Sequence, residues 1–335
     1  MSAIRIAING FGRIGRQCLR FALASKQIEV VGVHDLSSAK VSAHLFKYDS
    51  VHPSFPGKVE SKEDVLLIDG QAIPFFSGLD ISALPWKKLK VDLVLECTGR
   101  FSTKALAQQH VKQGAPRVLV SAPCSGGDVT LVLGVNEHLF QPQHTIVSNA
   151  SCTTNCVSML LKVLREGVGL QKALMTTVHA YTYDQHLLDN AHKDLRRARA
   201  ASISIVPTTS GATRSVVEIF PDLAGRFEGL SVRVPTPDVS LVDLVAEVNQ
   251  SITVEQLNDL FKKASQTTLK KYLGVSDEPL VSVDYIGDQR SAIVDLELTQ
   301  VMDRNWIKVI AWYDNEIGFS KRMIDLVEYI YEHQN

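Results

Sequence analysis

The stretch Ile4-Arg5-Ile6-Ala7-Ile8-Asn9-Gly10-Phe11-Gly12-Arg13-Ile14-Gly15 reads as an apolar strand running into a glycine turn and then a helix. Its glycines stand at the spacing of a dinucleotide-binding turn. Gly10 permits the tight turn, Gly12 removes a side chain where a pyrophosphate must approach, and Gly15 lets the helix close on the strand. Amides at the helix start then meet the phosphates. Asp35 stands twenty residues beyond Gly15, at the end of the next apolar run. There a carboxylate can accept hydrogen bonds from an adenosine ribose. A glycine-rich turn plus a surface aspartate is the plain alternative; the strand context and Asp35 together favour the dinucleotide.

Further apolar runs at 29–34, 91–97, 117–121, 131–135 and 145–148 are separated by helical lengths such as 103–113. Near-continuous apolar strands spaced by helices predict a Rossmann-type doubly wound, mostly parallel sheet covered on both faces. Thr98-Gly99 and Ser121-Ala122-Pro123 end two of these strands, where open parallel sheets bind ligands. After residue 150 the pattern changes. Strands at 230–234, 239–249, 280–284, 292–300 and 307–313, with one clear amphipathic helix at 253–267, predict an α+β catalytic domain. Its sheet is expected to be mixed and largely antiparallel, with helices on one side. A last helix at 320–331 has a broad apolar face. The expected division is an NAD-binding domain at 1–150, joined by the C-terminal helix 317–335, and a catalytic and substrate-binding domain at 151–316.

The 335-residue length suits two domains. Hydrophobic residues make up 45% and charged residues 21%, which excludes a disordered chain. Thirty-five basic against thirty-six acidic residues leave a formal charge of -1, so no overall field recruits nucleic acid or an anionic membrane. No dedicated partner of either kind is expected, and phosphate binding must be local. The N-terminus enters a strand-like run without a basic leader, and no apolar run approaches the roughly 18 residues of a membrane span. A cytoplasmic location is the expectation. Cys18, Cys97, Cys124, Cys152 and Cys156 form neither a disulfide framework nor a zinc spacing, so no metal is expected.

Ser148-Asn149-Ala150-Ser151 leads out of a strand into Cys152-Thr153-Thr154-Asn155-Cys156, after which Val157, Leu160, Leu161 and Leu164 recur at helical spacing. Cys152 therefore falls in the first turn of a helix capped by Asn149 or Ser151. The helix dipole and free amides are expected to lower its thiol from about 8.5. His179 closes the run 172–178, where it can reach a thiolate and exchange protons, although His186 and His192 compete for that role. Thr153, Thr182, Arg199, Ser210, Gly211 and Arg233 supply groups suited to phosphate oxygens. The cluster Arg196-Arg197-Ala198-Arg199 reads equally as a solvated patch or a subunit contact.

Taken together, Asn9 to Arg16, the Cys152 segment, His179-Ala180-Tyr181-Thr182, Arg233-Val234-Pro235-Thr236 and Trp312-Tyr313-Asp314-Asn315-Glu316 resemble, in order and over nearly the full length, the glyceraldehyde-3-phosphate dehydrogenase family. The resemblance implies a phosphorylating, NAD-dependent aldehyde dehydrogenase working through a cysteine thioester. It makes Cys152 the nucleophile, His179 its acid-base partner and Asn315 the residue that fixes the nicotinamide amide. Asn9, Gly10, Gly12, Arg13, Ile14, Gly15, Asp35, Thr98, Gly99 and Ser121 would hold the cofactor. Ser151, Thr153, Ser210 and Gly211 would receive inorganic phosphate, while Thr182 and Arg233 hold the phosphate of D-glyceraldehyde 3-phosphate and Arg199 assists. A homotetramer is implied, with the loop at about 180–203 at a subunit interface.

Two positions depart from the family pattern: Ser210 stands for a threonine and Phe319 for a tyrosine, and activity is expected to survive both. The nearest alternative is a related erythrose-4-phosphate dehydrogenase with water as acceptor. A noncatalytic dinucleotide-binding interaction protein is the alternative of another class, and it leaves Cys152, His179 and Asn315 unexplained. Asp35 followed by Leu36 favours NAD over NADP, whereas Asn190-Ala191, where NAD-preferring relatives often have leucine-proline, softens that preference.

Overall fold

The computed structural model describes residues 3–334. The chain divides into two compact units: Met1–Leu131 with Glu137–Ala150 and Ser320–Asn335, and Val132–Asn136 with Ser151–Phe319.

The first unit begins with β1 (Ile4–Asn9), α1 (Arg13–Ala24), β2 (Ile28–Asp35) and α2 (Ala39–Lys47). It continues with β3 (Val59–Lys62), β4 (Val65–Ile68), β5 (Gln71–Ser77), β6 (Leu93–Glu96), α3 (Lys104–Lys112), β7 (Val118–Val120), β8 (Val129–Thr130) and β9 (Ile146–Ser148). The sheet order is β3-β4-β5-β2-β1-β6-β7-β9-β8. The strands from β5 to β8 in that order pair in parallel. Ile6, Ala7, Ile8, Val33, Val94, Leu95, Val118 and Leu119 are fully buried, as strands covered on both faces must be. This is the doubly wound sheet expected from the sequence.

The antiparallel β3-β4-β5 meander was not foreseen. Its signal was present: Asp69-Gly70 joins β4 to β5 with φ of 49° and 84°, the two-residue turn that Asp-Gly favours in hairpins.

The second unit holds α4 (Cys152–Gly167), β10 (Leu170–Ala180), β11 (Val206–Thr209), α5 (Ala212–Ile219), β12 (Phe227–Val234) and β13 (Ser240–Val248). It continues with α6 (Val254–Gln266), β14 (Leu273–Ser276), β15 (Ala292–Met302) and β16 (Trp306–Tyr313). Its sheet runs β11-β12-β10-β13-β16-β15-β14. Two pairs, β10 with β12 and β14 with β15, are parallel, and the rest are antiparallel. Along β13 every second residue from Ser240 is buried, the period of a sheet with one face on the core. Helix α4 packs against β10, β13, β15 and β16, with α5 and α6 beside it. Thr253 and Gln256 form a reciprocal capping box at the start of α6, worth about 1 kcal/mol. The last helix, α7 (Ile317–Glu332), starts where Asp314 Oδ1 accepts from the amides of Glu316 and Ile317.

Two expected strands are corrected. The run 131–135 is a buried turn, in which Asn136 Oδ1 accepts from Val132 N at 2.7 Å and Val135 N donates to Val132 O. Gly134, at φ 85°, lies where a Cβ would meet the Tyr272 ring at 2.5 Å. Its apolar character reflects burial and not a strand period. The run 280–284 is irregular and enters a short 3-10 turn at Ser282–Tyr285, because Asp284 Oδ2 captures the Val281 amide at 2.8 Å. A side chain that bonds its own backbone competes with a sheet ladder.

Candidate active site

In the first unit the glycine turn has the shape its residues predict. Gly10 lies at φ 93° and its amide donates to His34 O at 2.8 Å. A Cβ on Gly10 would meet Thr98 N at 2.7 Å, and one on Gly15 would meet Gly10 O at 2.0 Å. Gly12 is different: nothing lies within 4 Å of its Cβ position, so its lack of a side chain serves no internal packing. It begins α1, whose first turn carries no acidic residue and no side-chain cap. That leaves a helix N-terminus suited to a pyrophosphate. Asp35 Oδ2 accepts from Phe11 N at 2.7 Å, while Oδ1 accepts from Ser37 N and Oγ, each at 2.9 Å. Burial alone would raise its pKa, but these bonds outweigh it and lower the carboxyl, keeping an acceptor beside the turn. These residues fit a dinucleotide.

The other residues proposed for the cofactor have varied surroundings. Asn9 turns inward: its Nδ2 lies 2.5 Å from Glu96 Oε2 and its Oδ1 2.5 Å from His34 Nδ1. Its visible work is to bind β1 to its neighbours. Thr98 donates from its amide (2.8 Å) and its hydroxyl to Glu96 Oε1, shaping the turn at Gly99, φ 70°. The Ser121 amide donates to Glu96 O at 2.9 Å. Arg13 pairs with Asp49 at 2.6 Å. Ile14 is partly exposed.

In the second unit Cys152 opens α4. Ser151, not Asn149, is the cap, with its Oγ accepting from Thr154 N at 3.1 Å. Cys152 Sγ lies 3.5 Å from His179 Nε2. His179 Nδ1 lies 2.7 Å from Ala180 O, and a carbonyl only accepts, so Nδ1 carries the hydrogen. In the neutral ring, Nε2 is then the lone pair facing the sulfur. Burial and the nearby Arg233 guanidinium hold His179 down to about 3, so the ring is neutral near pH 7. Of the competing histidines, His192 instead sits between Asp184 and Asp194.

The expectation of a lowered Cys152 thiol is corrected. Burial raises it, against the downward pull of Arg233 and of the Thr153 amide and hydroxyl. The helix start does act on the sulfur, but desolvation is the larger effect. At the partly exposed Cys152, desolvation thus opposes the thiolate that the helix start and Arg233 favour. Cys156, one turn on, is fully buried and raised further.

Strand pairing brings together groups expected from the sequence to bind anions. His179 on β10 is in register with Arg233 on β12, and Arg233 with Val206 on β11. Arg233 Nη1 donates to Ala180 O and Thr182 Oγ1, both at 3.1 Å. Ser210 Oγ accepts from Ala212 N at 3.2 Å, and Gly211 begins α5 without a side-chain cap. Thr153 Oγ1 is 2.9 Å from Tyr313 OH, as is Thr177 Oγ1. Asn315 Oδ1 accepts from Ser240 Oγ at 2.7 Å, which fixes its amide so that the NH2 end is the one presented elsewhere. Arg199 is the residue not brought to this group: its side chain is 68% exposed and paired with Asp189 at 3.0 Å. Sequence reasoning missed Tyr313, Ser240 and Arg197. Tyr313 lay within a quoted motif and Arg197 within the basic cluster 196–199, read there as a solvated patch or a subunit contact, while Ser240 had no local signal.

Residues 4–104 match the family described as glyceraldehyde 3-phosphate dehydrogenase, NAD binding domain, and residues 151–315 match its C-terminal domain. The chain is 48% identical over 329 residues to the glyceraldehyde-3-phosphate dehydrogenase of Geobacillus stearothermophilus, covering 98% of both chains. The same figures hold for the enzyme of that name from Priestia megaterium. Glyceraldehyde-3-phosphate dehydrogenase 2 of Bacillus subtilis is 47% identical over 328 residues, 98% of this chain and 96% of that one.

Proposed function

The chain belongs to the glyceraldehyde-3-phosphate dehydrogenase family and is an NAD-dependent enzyme of its phosphorylating reaction, which we propose it performs on Cys152 with His179 as acid-base partner. The substrate is D-glyceraldehyde 3-phosphate and the product 1,3-bisphosphoglycerate. The observation that carries these roles is the Cys152–His179 contact with its lone pair directed at sulfur.

As Sγ adds to the aldehyde carbon, Nε2 takes the thiol proton and delivers it to the carbonyl oxygen, giving a hemithioacetal. Gly10, Gly12, Gly15 and Asp35 would hold NAD and Asn315 would fix its nicotinamide amide, and the bound cofactor would supply the acceptor for the hydride. His179 removes the hydroxyl proton in that step, and Cys152 is left as a thioester. Inorganic phosphate held by Ser151, Thr153, Ser210 and Gly211 attacks the acyl carbon, the carbon–sulfur bond breaks, and the sulfur is restored. Thr182 and Arg233 hold the substrate's own phosphate. The thioester keeps the oxidation energy until phosphate captures it.

Oligomerisation fits the same reading. Tyr183, Leu187, Leu188, Leu195 and Ile203 are largely exposed along one loop, more apolar surface than a lone subunit ordinarily leaves in water. A homotetramer would cover it. Among the described residues no helix is long and apolar enough to cross a membrane; with five free cysteines, a cytoplasmic enzyme is the reading adopted.

Steady-state assays with glyceraldehyde 3-phosphate and erythrose 4-phosphate, with and without inorganic phosphate, test this assignment. Phosphate-dependent turnover of the three-carbon substrate is expected. Efficient phosphate-independent oxidation of erythrose 4-phosphate alone would assign the chain to the other reaction.

A further inference from the structure

Strand β13 opens at Ser240, and the β10–β13 ladder is regular only as far as Val178 opposite Leu241. The same register carries Ala180 to Val239, but Val239 lies at φ 64°, outside the extended region. The Ala180 amide donates instead to Ser240 Oγ at 3.1 Å. A backbone amide only donates, and a serine has one hydroxyl hydrogen. That hydrogen is therefore left for Asn315 Oδ1, 2.7 Å away. Ser240 is 1% exposed, so water does not compete for either bond.

Asn315 stands two residues beyond the point where β16 pairs Tyr313 with Ser240. Its backbone is fixed by the residue before it: Asp314 Oδ1 accepts from Glu316 N and Ile317 N, and Oδ2 from Gly287 N at 2.8 Å. Its side chain is fixed by Ser240. With Oδ1 engaged, Nδ2 is the end that faces away. Asn315 is 6% exposed, yet among the described residues no acceptor meets Nδ2, and that nitrogen is not sealed from solvent. A buried amide whose donor end stays open is arranged for an oxygen that arrives with a ligand. Ala180 joins this group to the acid-base partner: its amide serves Ser240, and its carbonyl lies 2.7 Å from His179 Nδ1.

We infer that Ser240 is a positioning residue for the nicotinamide half of the cofactor. It acts by holding Asn315 with the NH2 end outward, and it touches neither substrate nor cofactor. This rests on the functional reading above, in which Asn315 fixes the nicotinamide amide. Without the Ser240 hydroxyl, the Asn315 amide is free to turn, and an outward Oδ1 would face a carbonyl oxygen that cannot donate to it. The same hydroxyl ties Asn315 to the residue that sets the His179 tautomer.

The test is isothermal titration of the full-length protein with NAD and with ADP-ribose, which lacks the nicotinamide, in the parent, Ser240→Ala, Asn315→Ala and the double variant. Ser240→Ala is expected to weaken NAD binding about fivefold or more and to leave ADP-ribose within about twofold of the parent. In the Asn315→Ala background the same substitution should add less than about twofold, because its route of action is gone. Iodoacetamide labelling of Cys152 in ligand-free Ser240→Ala should keep the parental pH profile, which a general disturbance of the site would shift. Four results overturn the inference: parental NAD affinity in Ser240→Ala, equal weakening of NAD and ADP-ribose, a full additional loss in the double variant, or a displaced labelling profile. If Ser240→Ala does not fold, Ser240→Thr decides: it keeps the hydroxyl and should bind NAD within about twofold of the parent, and a fivefold loss confined to NAD overturns the inference. Parental NAD affinity in Asn315→Ala would overturn the reading of Asn315 itself, and this inference with it.

Discussion

His179 Nε2 lies 3.5 Å from Cys152 Sγ while its Nδ1 is engaged 2.7 Å away by the carbonyl of Ala180. The second contact gives the first its meaning, because it sets the tautomer and directs a lone pair at the sulfur. Burial raises the thiol and holds the imidazole down to about 3, which favours proton transfer from sulfur to Nε2 during attack on the carbonyl over a preformed ion pair. Charge then appears in the chemical step, where neighbouring donors can stabilise it.

Replacing Cys152 with serine should reduce aldehyde oxidation by about four orders of magnitude or more, since serine supplies no accessible anion near neutral pH. NAD binding, followed by isothermal titration, should change little, because the cofactor's glycine turn does not include this residue. His179→Asn should leave a reaction slower by about 10²- to 10⁴-fold that recovers as pH rises. A parental hydride-transfer rate in either variant, read by stopped flow, would remove that residue from the mechanism.

The protonation states give a pH signature. Iodoacetamide labelling of Cys152 in the ligand-free protein should accelerate with pH and keep rising past about 9, without a plateau near neutrality. A rate already at its maximum at neutral pH would mean a preformed ion pair.

Stability should respond as well. His179 is near its ordinary 6.5 when unfolded and about 3 when folded, so between those values the unfolded chain holds a proton the folded chain lacks. Its contribution is complete above about 6.5 and is lost as pH falls toward 3. The denaturation midpoint of His179→Asn should therefore decline less steeply than the parent's across that window. Parallel declines would contradict the depressed value.

The glycines separate fold from binding. Gly15→Ala places a Cβ 2.0 Å from Gly10 O and should lower Tm sharply. Gly12→Ala meets nothing within 4 Å, at a backbone φ of -71° that alanine adopts freely, so Tm should be kept. Its NAD affinity should fall by about tenfold or more, because the methyl occupies the phosphate approach. Unchanged affinity in a folded Gly12→Ala protein would place the pyrophosphate elsewhere.

Cofactor preference follows from Asp35, whose carboxylate is lowered and ionised beside the turn. The kcat/KM with NAD should exceed that with NADP, and Asp35→Ala should narrow the ratio. Because Asp35 also anchors Phe11 N, the same change should raise the KM for NAD. An equal or higher value with NADP in the parent would contradict the assignment.

The residues whose roles are local were legible in the sequence. The spacing of Gly10, Gly12 and Gly15 encodes a turn, and Cys152 after Ser151 encodes a capped helix start. Apolar period alone misled at 131–135, where burial of a turn imitates a strand, and at 280–284, where Asp284 diverts the backbone. The level of the Cys152 thiol was misjudged because a helix N-terminus is visible in a sequence and the desolvation opposing it is not. Ser240, which orients Asn315, lies 75 residues along the chain from it, so only the folded arrangement reveals the pair.

The thioester on Cys152 is the point on which the account stands. Mixing the enzyme with NAD and glyceraldehyde 3-phosphate in phosphate-free buffer, then quenching in acid for peptide mass spectrometry, tests it directly. The predicted result is one NAD reduced per active subunit in the first turnover and a 3-phosphoglyceroyl adduct on the Cys152 peptide, discharged when inorganic phosphate is added before the quench. NAD reduction with Cys152 unmodified, or an adduct that phosphate does not remove, would contradict it.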